Sequence, residues 1–159
     1  MVPPSGLCEP RRAMFWIKRI GLGLLAVLVL LQLVPYGRAH DNPAVTGTPR
    51  WDSARTAQLF NDACADCHSN QTDWKWYSSV APSSWLVQRD VDEGRGKLNV
   101  SEWDKPQDEV EEASETVEEG SMPPWQYKLV HGSARLSEEE KTELADGLRR
   151  TFAADPPGR

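Results

Sequence analysis

Cys64-Ala65-Asp66-Cys67-His68 reads C-x-x-C-H, the pattern of covalent haem attachment. Two thiols three residues apart can add to the two vinyl groups of a haem. The adjacent histidine then supplies an axial nitrogen to the iron. Two other readings compete. A zinc site would need a fourth ligand, and adjacent Cys-His is awkward for tetrahedral closure. A dithiol redox site expects a βαβ context, and none is visible around this stretch.

Outward from the motif, cysteine usage supports haem. The chain has 159 residues and three cysteines. Cys8 precedes a long apolar run, so it does not share a compartment with Cys64 and Cys67, and a disulfide framework is excluded. Charge is uneven. Residues 1–40 hold Arg11, Arg12, Lys18, Arg19 and Arg38 against Glu9 alone, while the whole chain carries −6. The remainder is therefore strongly acidic. Such a surface repels phosphates and excludes nucleic acid as a partner. It suits a basic redox partner, or plain solvation.

Upstream, residues 1–13 are Pro-rich and polar and read as disordered. Residues 14–36 form a membrane anchor or signal segment built on the run Ile20 to Val34. Signal cores run about 7–15 residues and spanning helices about 20. Lys18 and Arg19 can snorkel, so Phe15, Trp16 and Ile17 extend the apolar segment and favour an uncleaved anchor. The basic flank stays in the cytoplasm, which places the C-terminal part on the extracytoplasmic side. Residues 37–50, with Pro43, Gly47 and Pro49, read as a linker.

Residues 51–153 form the domain, and 154–159 are a frayed tail. Asp52 or Ser53 caps a helix to about Ala63 that runs straight into Cys64. Ser69 to Ser79 is a Trp-rich loop folding over the haem. Pro82 opens a second helix to about Arg95, which Gly94 and Gly96 end. A third spans 106–119, with Val110, Ala113 and Val117 inward, an acidic outer face, and Gly120 as its stop. Ser137 and Glu140 form a capping box for a last helix to about Phe152. The expectation is an all-α domain of about four helices around one covalent haem, preceded by one transmembrane helix.

The second iron ligand decides what the haem does. Met122 is the one methionine beyond the apolar segment, and it sits in Gly120-Ser121-Met122-Pro123-Pro124. Two prolines stiffen that loop, and a thioether raises the haem potential relative to a second histidine. His131 is the alternative ligand, and His40 a more remote one. Six of the seven tryptophans fall in the exported part, where flat aromatics suit porphyrin packing. Tyr77, Tyr127, Arg89, Arg95 and Lys97 are candidate partners for the haem propionates.

These residues carry a resemblance. Pro35-Tyr36-Gly37-Arg38 with Asn42-Pro43, Cys64 through Asn70, and Trp74-Lys75-Trp76-Tyr77-Ser78 are similar to the bacterial haem-binding domain proteins, a group related to c-type cytochromes. So are Val80-Ala81-Pro82-Ser83-Ser84-Trp85-Leu86-Val87, Asp90 through Arg95, Leu98 through Trp103, and Gly120 through Trp125. Lys75 stands where the pattern expects proline and Val100 where it expects phenylalanine. The resemblance implies a mainly helical mono-haem domain behind a retained anchor.

The sequence-level expectation is a membrane-anchored cytochrome carrying one haem c on Cys64, Cys67, His68 and Met122. It transfers single electrons, is not an enzyme, and depends on redox partner proteins and on haem-attachment machinery. The alternatives are a five-coordinate haem protein (a peroxidase or gas sensor) in which Met122 only packs, and a haem-stabilised interaction module.

Overall fold

Ser53 begins the first helix of the domain. Its hydroxyl accepts from the Thr56 amide, and α2 (Ala54–Ala63) follows with Thr56, Leu59, Phe60 and Ala63 buried on one face. The chain then turns at Cys64 into α3 (Ala65–His68), a single turn in which the amides of Cys67 and His68 both donate to the Cys64 carbonyl. In this computed structural model, which describes residues 10–158, the remaining helices are α1 (Pro10–Leu31), α4 (Ser83–Lys97), α5 (Ala113–Glu118), α6 (Trp125–Val130) and α7 (Glu138–Ala154). Two 3-10 turns lie at Trp76–Ser79 and Gly132–Ala134. No strand forms among the described residues; Gly47 and Glu102 make one isolated bridge.

The protein is all-helical. The domain holds more helices than the four expected, because the attachment motif forms its own turn and Pro124 opens α6. The capping box on α7 is present, with the Ser137 hydroxyl accepting from the Glu140 amide and the Glu140 carboxylate from the Ser137 amide. α2, α5 and α7 enclose a core of Leu59, Phe60, Val117, Leu144, Leu148 and Phe152, closed at one end by Leu98, Val100 and Trp103.

Three expected boundaries move. The third helix covers only Ala113–Glu118, and residues 106–112 form turns. Asp108, Glu109, Glu111 and Glu112 would stack like charges along a helix there. Instead the Glu109 amide donates to the Lys97 carbonyl and its carboxylate pairs with Lys97. Second, α4 passes through Gly94 and Gly96 and ends at Lys97. Gly94 is a contact point: a Cβ there would sit 2.5 Å from the Cys67 carbonyl oxygen. Third, α1 begins at Pro10, inside the stretch read as disordered; residues 1–9 lie outside the described residues.

Residues 38–50 are not a free tether. Asn70 donates to the Ala44 carbonyl, Asn42 to the Thr72 carbonyl, and Thr46 to the Ser101 carbonyl. Arg95 donates to the carbonyls of Ser69 and Asp41 and to Asn42 Oδ1 and Thr72 Oγ1. The segment is a strap laid along the domain. Upstream, Gln32 at the end of α1 donates to the Ala81 carbonyl and accepts from the Ala81 amide, at 2.9 and 3.0 Å. Gly37 has φ +77 and lies so close to α4 that a Cβ would meet the Ser84 carbonyl oxygen at 2.2 Å. The helix Arg12–Leu31 is long and apolar enough to cross a membrane, and none of its apolar window is buried.

Candidate functional site

Cys64, Cys67, His68 and Met122 wall one cavity of about 280 Å³. The first three come from the α2–α3 junction. Met122 comes from the loop after α5, where Gly120 turns the chain at φ +75 and the Met122 amide donates to the Thr116 carbonyl. Pro123, Pro124 and Gly94 complete the walls, with Arg89, Glu93 and Lys97 also on the lining. A smaller space of about 60 Å³ lies between Phe60, Cys64, His68, Leu98, Met122 and Leu148. The four residues singled out in the sequence, 58 positions from first to last, are thus brought to one place.

His68 is prepared to bind through one nitrogen. Its Nδ1 lies 2.9 Å from the Leu98 carbonyl oxygen, which can only accept. The proton therefore sits on Nδ1 and Nε2 keeps its lone pair, the second-shell arrangement of ligating histidines. Burial pushes the imidazole pKa down, against the backbone bond to Leu98. The neutral, ligating form is the stable one. Cys64 and Cys67 are free thiols. Burial pushes both up to about 12, the Asp90 and Asp66 charges adding to the effect at Cys67. Both thiols are therefore protonated in the free protein. Among the described residues no three His, Cys, Asp or Glu side chains are placed to hold a metal ion, which disfavours zinc.

A second cavity of about 370 Å³ adjoins the first, the two sharing Cys67, Asp90, Gln126 and Tyr127. Trp76, Leu86, Val87 and Val130 give it apolar walls. His131 lines it, with both ring nitrogens engaged. Nδ1 donates to the Tyr127 carbonyl at 3.1 Å, so Nε2 accepts from the Tyr77 hydroxyl at 3.0 Å. The ring also stacks on Tyr127, with centroids 3.8 Å apart. Tyr127 in turn donates to Asp66 Oδ2 at 2.7 Å; burial and that carboxylate push its pKa far up. His131 thus links Tyr77 to Tyr127. His40 bonds the Ser78 carbonyl and stacks on Trp74.

The candidate propionate partners divide. Arg95 is committed to the strap, Tyr77 to His131 and Tyr127 to Asp66. Arg89 and Lys97 remain on the cavity lining, each in an exposed pair, with Glu93 and Glu109. Sequence reasoning missed Gly94. Its signal was a glycine inside an otherwise helical stretch, which often marks close packing.

The residues fit a haem: two free thiols, an imidazole with Nδ1 held by a backbone carbonyl, and a thioether all line one cavity. A family model described as a haem-binding domain matches residues 26–150. No curated protein and no solved structure matches the chain.

Proposed function

The chain belongs to the haem-binding domain family, and from that premise we propose a membrane-anchored mono-haem c-type cytochrome that carries single electrons. The supporting observation is the shared cavity of Cys64, Cys67, His68 and Met122, with His68 Nδ1 held by Leu98. Cys64 and Cys67 would hold the group by adding their S–H bonds across its two vinyl double bonds, and His68 Nε2 and Met122 Sδ would be its iron ligands. When bound, the group would supply one-electron chemistry. Leu98 keeps the imidazole in one tautomer, Gly94 lets α4 close on the Cys67 backbone, and Pro123 and Pro124 restrict the Met122 loop. With His68 and Met122 both committed to the group, no iron position would be left for a substrate, which supports a carrier rather than an enzyme.

Under this reading α1 is the anchor and the domain faces the extracytoplasmic side of a bacterial membrane. Haem-attachment machinery acts there, and redox partner proteins exchange electrons with the domain. Absorption and spin-resonance spectra of the purified protein test the ligation. A low-spin ferric haem with a sulfur-to-iron band in the red is expected, and Met122→Ala should abolish that band and lower the potential. An unchanged spectrum in Met122→Ala removes Met122 as a ligand. High-spin iron that readily binds carbon monoxide in the unaltered protein would make it a five-coordinate haem protein. Cys64→Ser, Cys67→Ser should release the haem to acidified acetone, while the unaltered protein retains it.

A further inference from the structure

We propose that the haem domain rests on the lipid bilayer through an apolar strip that continues from the end of α1, so that the cavity beside Cys67 opens toward the membrane. The proposal rests on the reading of α1 as a membrane span. The strip comprises Val34, Tyr36, Val80, Leu86, Trp76 and Val130, all between 44% and 79% exposed. It is continuous because Leu86 borders two spaces. One is a groove shared with Val34, Tyr36 and Arg89. The other is the 370 Å³ cavity shared with Trp76 and Val130.

The strip's height is set by the anchor. Gln32, in the turn that ends α1, brackets the backbone of Ala81, the neighbour of Val80. That clasp puts the Trp76–Ser79 turn and the start of α4 level with the point where the chain leaves the apolar helix. Trp and Tyr are enriched at this level in membrane proteins, where an apolar ring meets water at its polar edge. An apolar run of this extent on a domain surface calls for a cover. The groove next to α1 is lined by Val34, Tyr36, Trp85, Leu86 and Arg89, with Arg89 paired to Glu93 and the Tyr36 hydroxyl bonded to Asp92 at its polar edge. Continuity with the anchor favours lipid over a second protein as the cover.

Benzoylphenylalanine placed at positions 24, 76, 130 or 139 of the full-length protein provides the test. The protein is reconstituted into vesicles of phosphatidylcholine and phosphatidylglycerol, irradiated, and analysed by mass spectrometry. Position 24 lies within α1 and position 139 on the exposed face of α7. Lipid adducts at 24, 76 and 130, with none at 139, are expected. Adducts at 24 alone overturn the proposal and leave the anchor standing. No adduct at 24 overturns the anchor reading, and the proposal with it. Protein–protein adducts at 76 and 130 in place of lipid overturn the proposal and assign the strip to a second copy of the chain.

Discussion

Asp66 lies between the two cysteines and is read by three residues outside the motif. Its Oδ1 accepts from the Asp73 amide, its Oδ2 from the Tyr127 hydroxyl, and its backbone carbonyl from the Thr72 hydroxyl. Tyr127→Phe keeps the ring stacked on His131 but leaves a half-buried carboxylate oxygen without its donor. A loss of about 1–3 kcal/mol is expected in urea unfolding, the usual cost of a hydrogen bond to a charged group. Gly94→Ala separates packing from propensity. Alanine favours an exposed helix by about 1 kcal/mol, yet here its Cβ would sit 2.5 Å from a backbone oxygen of Cys67. Net destabilisation of about 1–3 kcal/mol is expected from overpacking. A rise in the unfolding midpoint would mean that α3 and α4 move apart freely.

At the level of elements, the capped helix starts were legible, whereas the starts of the acidic helix and of α1 and the end of α4 were not. Ser53 and the Ser137–Glu140 box act within four residues of themselves, so a sequence window contains the whole interaction. The acidic helix shrank and α4 lengthened because Glu109 answers to Lys97 and Gly94 to Cys67, partners that no local period encodes. Glu140 offers a pH test of a legible element. The Ser137 amide, and then Arg55, hold its carboxyl below the usual range. The folded value lies below the unfolded one, so this stabilisation is complete above about pH 4.3 and drains away as pH falls further. Glu140→Gln can still accept from the Ser137 amide but has no proton to take up. Its unfolding midpoint should fall less steeply between about pH 5 and 3 than that of the unaltered domain. Parallel acid limbs would show that Glu140 does not couple to folding.

Across the whole molecule, the site was legible in outline because motif chemistry and the single methionine beyond α1 survive without knowledge of the fold. What tertiary contacts added was commitment. Arg95, Tyr77 and Tyr127 looked free to meet a propionate, and each already holds a partner 23 to 61 positions away. The strap was read as a linker because its contacts are equally distant. A chain beginning at Asp41 keeps the bonds of Asn42, Ala44, Thr46 and Gly47, whereas one beginning at Trp51 gives them up. At about 1 kcal/mol net for each bond, a drop of several kcal/mol in chemical denaturation is expected. Equal midpoints would return the segment to the status of a tether. α4 joins the two ends of this design. Its Ser84 turn meets Gly37 below, and its Gly94 turn meets Cys67 above. The rise between them is about 15 Å along the axis at 1.5 Å per residue. The motif therefore stands on a strut of set length, and its distance from the chain at Gly37 is a property of one helix rather than of a swinging arm.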